Sequence, residues 1–435
     1  MENPVKVLVL VTDPWRTDTS GGNTIDNFFS GMGNVEFAHL YCSDGMPDNT
    51  VCDRYFQISQ TEVVKKFLFH KKVGHAFRWK RETEFKEEKK SKDGSVQIII
   101  NKFKIVRPQF LLTIRKLLWF YSNWKTKELK SFVLDFSPDV IYAPCYASPF
   151  QLALTRYVKE IAGCKVVTWS ADDNYSLRQF SLSPFFWLNR FWDRRCLRKT
   201  YPYYDKFYSV SEDEIKELEP IVGKRMAILR KGVNVPNCYK GRELNNPLKF
   251  IYAGNLYCNR DRILLRIANA LRKLNEESVK AELHIYTGSK LKAKLAERLN
   301  DGRSVYNHGL ISPQELSEIY QHSDVAIHCE SFGLKDRLAT RLSFSTKIID
   351  CFQSGCAILA IAWKEHTALK YLQKEDAAIC IAEEDCIETA VIELANDRER
   401  IMDYMKKAYE CEKRNHKIED IQGKLYKDFV ELSVK

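Results

Sequence analysis

The chain has 435 residues, 45% hydrophobic and 29% charged, enough apolar material for two ordinary cores and too much for a disordered protein. Its 13 cysteines form no C-x-x-C pair and no regular spacing, which excludes a zinc ribbon and a disulfide scaffold and sets a reduced, cytoplasmic compartment as the expectation. The net charge of +11 is unevenly placed: residues 65–130 hold 19 Lys or Arg against 6 Asp or Glu, so one basic surface is expected rather than a basic protein.

In chain order, Val5 to Val11 reads as a first buried strand, because its apolar run is short and gives way at once to Thr12 and Asp13, unlike a signal peptide. Further strand-like runs follow at 35–41, 140–142, 165–169, 206–210 and 226–229, then at 250–253, 281–286, 305–307, 325–328, 357–361 and 378–381. Helical stretches separate them, the pattern of parallel α/β architecture, and two doubly wound sheets are expected. The Pro- and Asn-rich stretch 234–247 divides an N-terminal domain, 1–235, from a C-terminal one, 248–415. A last helix at about 416–435 is placed to pack back on the first domain. The charged tract 80–94 reads as an exposed loop or hairpin. No apolar run reaches membrane-spanning length, since even "FLLTIRKLLWFY" is broken by Arg115 and Lys116.

Open α/β sheets bind ligands at the carboxyl ends of their strands, so the loops there supply the candidates. "DPWRTDTSGGN" ends in Gly21, Gly22 and Asn23, where a glycine pair lets a backbone approach a ligand before the next helix; it lacks the G-x-G-x-x-G spacing of a dinucleotide site. "SADDN" brings Asp172 and Asp173 to the edge, where they can equally cap a following helix. "AGNLYCNRDR" brings Gly254, Asn255, Arg260 and Arg262, and "HCESFG" brings Glu330. In "RLSFSTKIIDCFQSGCAILAI", Ser345 or Thr346 can cap a short helix that Gly355 ends. Asp350 falls outside either capping box and is free for another task. It shares a helix face with Lys347, three residues earlier, at the end where unpaired N–H groups favour anions. A cation at a helix start suits a diphosphate, and a carboxylate one turn on suits a sugar diol; a solvated Lys–Asp pair is the alternative. His308 and His328 have no ligand spacing, so no metal site is expected. Motifs for an esterase or a P-loop enzyme are missing. The segments 107–127 and 183–199 put aromatic residues beside Arg and Lys at helical spacing. Each is either core with a solvated basic face or a surface that meets anionic lipid.

The phrases "FYSVSEDEIKEL", "ILRKGVN", "FIYAGNLY", "VYNHGLISPQELSEIYQHSDVAIHCESF" and "STKIIDCFQSGCAILAIA" resemble, in that order, the retaining glycosyltransferases of family 4, over roughly residues 206–400. The resemblance implies the GT-B fold: two Rossmann-like domains facing a central cleft, a nucleoside-diphosphate sugar held chiefly by the second, an acceptor held by the first, and neither metal nor cofactor. By the same resemblance Asp350 stands at the family's ribose-binding glutamate, Arg260 near its diphosphate-binding lysine, and Lys347 matches members with "STK" at this helix start. Three departures stand out. Asn255 replaces the usual arginine. The first glutamate of the paired motif falls near Leu342, leaving Glu330 or Arg341 to supply its contact, and no histidine accompanies Asp172 and Asp173.

The implied function is transfer of a sugar to a lipid-linked glycan of a bacterial surface polysaccharide, with retention, by a protein held peripherally on the inner face of the plasma membrane. Lys347, Arg260 and Asp172 are its catalytic candidates. Asp350, Gly254, Asn255, Glu330, Ser345 and Thr346 are its donor-binding candidates, and Gly21, Gly22 and Asn23 form its acceptor or phosphate loop. The partners expected are the nucleotide sugar, a polyprenyl-diphosphate-linked acceptor and an anionic membrane surface. Two other functions are compatible with parts of the sequence: a GT-B nucleotide-sugar epimerase, and a nucleic-acid-binding protein using the basic segment. The second lacks any recognised nucleic-acid fold.

Overall fold

The computed structural model describes residues 3–69, 73–79 and 109–434; the charged tract 80–94 and much of the basic segment lie outside them. Among the described residues eight strands make the first sheet: β1 Val5–Val11, β2 Val35–Tyr41, β3 Arg54–Gln57, β4 His75–Arg78, β5 Val140–Tyr142, β6 Lys165–Ser170, β7 Lys206–Ser209 and β8 Met226–Ile228. Their order is β4-β3-β2-β1-β5-β6-β7-β8. Six make the second: β9 Leu248–Ala253, β10 Ala281–Tyr286, β11 Val305–Gly309, β12 Val325–Cys329, β13 Ala357–Ile361 and β14 Ile379–Ile381, in the order β11-β10-β9-β12-β13-β14. All neighbours run parallel except β3 and β4.

Helices cover both faces, which explains why the central strands are continuous apolar runs. Every residue of β12 and β13 is buried. β1 holds the middle of the first sheet, with Val7 opposite Phe37 on one side and Val140 on the other. The sequence reading missed β3 and β4. Each has four residues: β4 is largely exposed at the sheet edge, while β3 is mostly buried but has only Tyr55 and Phe56 as apolar residues between Arg54 and Gln57, too short a run to stand out.

The end of the chain returns to the first domain. The helix Ile418–Ser433 lies against β1 and the helix Ser20–Phe29, with Phe429 and Phe29 ring centres 6.0 Å apart and Gln422 Nε2 donating to the Asn27 carbonyl at 2.8 Å. Charged side chains fasten the domains along one side of the space between them. Arg341 donates to Asp173 Oδ2 at 2.8 Å and to Glu217 Oε1 at 2.5 Å. Lys370 and Lys374 pair with Asp213 and Glu212 at 2.5 and 2.7 Å. Among the described residues no helix is long and apolar enough to cross a membrane.

Candidate functional site

The loops after β1, β6, β9 and β12 converge on a cleft between the domains, with a cavity of about 460 Å3. Asp13, Gly21, Tyr146, Asp172 and Lys231 line it from the first domain. Arg260, Glu330, Ser345, Thr346 and Lys347 line it from the second.

Lys347 begins the helix Lys347–Gln353. Neither hydroxyl before it caps the helix in the expected way: Thr346 already has helical angles and its side chain caps nothing, while Ser345 Oγ accepts from the Lys347 N–H at 3.3 Å. The lysine side chain crosses to the end of β9. Its Nζ lies 5.4 Å from the centre of the Tyr252 ring, and a Cβ built on Gly254 would stand 1.9 Å from it. Gly254 also has φ +150°, so the glycine is needed twice, for its backbone and for the room it leaves. Lys347 Nζ is buried with no hydrogen-bond partner among the described residues. Burial pulls its pKa down and the Arg260 charge pulls it further. A buried ammonium with no acceptor is costly, and an anion at this position relieves it.

Arg260 opens the helix Arg260–Leu274 and makes a two-pronged pair with Glu330, at 2.6 and 3.2 Å. Glu330 is 3% exposed. Burial works against the charge on Arg260, but Glu330 holds the guanidinium above its usual pKa. Both Glu330 oxygens are thus engaged by Arg260, and the glutamate's evident task is to aim that cation. Arg262 points into solvent. Asn255 also lies outside the cavity wall, exposed, with its carbonyl accepting from Tyr252 OH at 2.7 Å.

Lys347 and Asp350 share a helix but not a wall. Asp350 is open to solvent and is not part of the cavity lining. The surrounding protein still pushes its carboxyl up, against the pull of Lys231 and Lys347. Asp172 and Asp173 diverge as well. Asp172 lines the cleft and accepts from Ser343 Oγ at 2.6 Å, a contact between the domains. Asp173 is buried against Arg190 and Arg341. Capping does not occur at this pair: the next helix starts only at Pro184, and Asp173 instead accepts from the Ser176 N–H at 2.8 Å.

The glycine pair sits elsewhere than expected. Gly21 and Gly22 lie inside the first turn of the helix Ser20–Phe29, which Thr19 caps through the Gly22 N–H at 3.2 Å. A Cβ on Gly22 would stand 2.1 Å from the Arg16 carbonyl oxygen, so the room there is filled by the loop's own backbone rather than by a ligand. Gly21 faces the cavity, and Asn23 is held by Thr17 and Lys231.

Among the wall residues not named from sequence are Arg230, Lys231 and Tyr146. Arg230 and Lys231 follow β8; Arg230 lies over the Phe344 and Tyr371 rings at 4.6 and 4.2 Å. Their signal was a basic pair after a strand, in a phrase read only for its resemblance. Tyr146 stands beside Asp13 and Asp172, and burial, with both acids, holds its hydroxyl in the neutral form. Arg115 and Lys116 are not the surface charges their segment suggests. Lys116 pairs with Asp193 at 2.6 Å, with side chains 14% and 11% exposed, and Arg115 Nε is buried. His308 stacks on Tyr286, His328 is buried, and no group of three His, Cys, Asp or Glu among the described residues can hold a metal ion.

Residues 247–397 match a domain model described as Glycosyl transferases group 1. No curated protein matches the chain. Among solved structures, Anabaena Alr3699/HepE in complex with UDP and glucose is 11% identical, with a TM-score of 0.60 over 98% of this chain and 100% of that one. Trehalose-6-phosphate from Escherichia coli bound with UDP-2-fluoro glucose is 10% identical, with a TM-score of 0.59 over 98% of each chain. The N-terminal domain of Candida albicans trehalose-6-phosphate phosphatase is 12% identical with a TM-score of 0.59, over 99% and 97%. At these identities the likeness concerns the fold, and that fold is GT-B. Together with the matched domain it supports a GT-B glycosyltransferase, with a second domain similar to the group 1 type.

Proposed function

We propose that the protein transfers a sugar from a nucleoside-diphosphate sugar to a lipid-linked glycan of a bacterial surface polysaccharide, with retention and without a metal. The observation that carries the donor reading is the buried, unpartnered Lys347 ammonium on the cavity wall beside Arg260. Two cations at one end of a cleft suit a diphosphate. When the bond from the sugar's anomeric carbon breaks, its electron pair goes to the diphosphate oxygen, and these cations stabilise the charge that develops. Asp350 holds the ribose at the outer edge of the same site. The UDP in the Anabaena structure supports a nucleotide donor.

The lipid-linked acceptor and the peripheral membrane position rest on the helices Gln109–Tyr121 and Pro184–Thr200, which expose Phe110, Ile114, Leu117, Phe120, Leu188 and Phe191. Apolar side chains on adjoining helices are what an interfacial surface needs. The test of the donor is thermal stabilisation by a panel of nucleoside diphosphates and their sugars. A ligand at a hundred times its Kd adds about 2.7 kcal/mol. One base should raise Tm in the native protein and much less in Lys347→Met; a flat panel overturns the donor reading.

A further inference from the structure

The donor cleft has a neighbour. A second cavity, of about 500 Å3, lies between the helix Gln109–Tyr121, the residues after β5 and the helix Pro184–Thr200. Asp13 and Tyr146 are walls of both cavities. Its other walls mix apolar and aromatic residues, Leu112, Trp119, Phe150 and Phe186, with the charged Arg115, Lys116, Arg190 and Asp193. Two buried polar atoms of its lining residues, Trp119 Nε1 and Asn189 Oδ1, have no hydrogen-bond partner among the described residues. One is a donor and the other an acceptor, and a sugar hydroxyl can serve either. Unmet buried groups of this kind favour any ligand that satisfies them, and aromatic faces such as Trp119, Phe150 and Phe186 among polar and charged neighbours suit a sugar ring, which has one apolar face and a rim of hydroxyls. The helices that form this cavity also carry the exposed Phe120, Leu188 and Phe191.

We propose that this second cavity is the acceptor site, that it takes the sugar of an amphipathic glycoside whose apolar tail lies along the exposed helix faces, and that Asp13 accepts a hydrogen bond from the hydroxyl to be glycosylated. The role of Asp13 rests on the donor occupying the Lys347 cavity. The acceptor hydroxyl oxygen bonds to the sugar's anomeric carbon as the bond to the diphosphate breaks and its electron pair leaves with the diphosphate, while the hydroxyl proton passes to Asp13, which stands where the two cavities meet. Gly21 makes its position possible, because a Cβ there would stand 3.0 Å from Asp13 Oδ2.

The test uses the full chain and octyl glycosides of glucose, galactose and N-acetylglucosamine, titrated below their micelle concentrations by calorimetry, with UDP, GDP and ADP titrated in parallel. At least one octyl glycoside should bind saturably. Ala147→Trp, which fills the cavity from its wall, should weaken that binding about tenfold or more, and Asn189→Leu several-fold, with nucleotide affinity within about twofold of the native value. With the donor in hand, Asp13→Ala should lower transfer about a hundredfold while nucleotide binding persists. Octyl glycosides that never saturate, or that bind a folded Ala147→Trp as well as the native chain, overturn the acceptor site. Normal transfer by Asp13→Ala overturns the role of Asp13 alone. Nucleotides that fail to bind, while Ala147→Trp still excludes the glycosides, sink the donor reading and with it the role of Asp13, and keep the glycoside site.

Discussion

At the scale of the residue, Lys347 and Asp350 differ in what their partners do during reaction. The diphosphate gains charge as the sugar bond breaks, so Lys347 interacts more strongly in the transition state than before it, and its effect belongs in turnover. Lys347→Met should lower kcat on the order of a hundred- to thousandfold. The ribose diol does not change charge. Asp350→Asn should therefore raise the donor KM more than it lowers kcat. Steady-state kinetics of both variants, with circular dichroism to verify folding, measure this. Near-normal kinetics in both would place the donor site elsewhere.

At the scale of the element, Glu214 links strand ends to the helix Glu212–Val222. It is buried, and Ser170 Oγ and Ser209 Oγ, from the ends of β6 and β7, each lie 2.5 Å from one of its oxygens. Burial raises its pKa to about 8, and burial raises that of Glu412 to about 8 also. Between the ordinary glutamate pKa and about 8 the folded chain keeps protons that the unfolded chain releases, so stability falls as pH rises through that window and changes no further above it. Glu214→Gln removes one of the two contributions. Its Tm should gain on the native Tm as pH goes from about 5 to about 8 and then run parallel. Superimposable pH curves would mean that Glu214 is ionised in the fold.

The segment 339–345 bears on how the domains hold together. Arg341 reaches Asp173 and Glu217 from the other domain, yet each acid has a second arginine, Arg190 for Asp173 and Arg178 for Glu217. Removing Arg341 thus leaves no carboxylate wholly unpaired. Arg341→Met should cost about 2 kcal/mol, below the cost of stranding a buried charge. It should also increase the radius of gyration as the domains separate. Denaturant titration and small-angle scattering read the two effects; a variant unchanged in both would show that the remaining contacts, Lys370–Asp213, Lys374–Glu212 and Ser343–Asp172 among them, suffice to hold the domains.

For the whole molecule, the exposed aromatic faces and the basic segment predict association with anionic vesicles that weakens as salt rises. Arg115 and Lys116 are poor probes of it, because both turn inward. Phe120 and Tyr121 are each 69% exposed, so replacing both with Ser should spare stability. Loss of the apolar area they insert should weaken vesicle binding about tenfold or more. Co-sedimentation indifferent to both salt and the double substitution would remove the membrane from the account.

The inner strands, their parallel order and the helix start at Lys347 were legible in the sequence, because each is written within a few neighbouring residues as an apolar run or a helix boundary. The glycine ending that helix was legible too, with Gly355 at φ +67°. Contact across the chain was not legible. That Glu330 is spent on Arg260, 70 residues away, and Asp173 on Arg341, 168 away, follows from which loops the two sheets bring to one edge. The same holds for Lys231 in the cleft wall and for Asp13 between two cavities. Sequence spacing sets the side chains a loop can offer; burial, charge pairing and the space left by Gly21 and Gly254 are properties of the assembled fold, and they decided which of those side chains face a ligand.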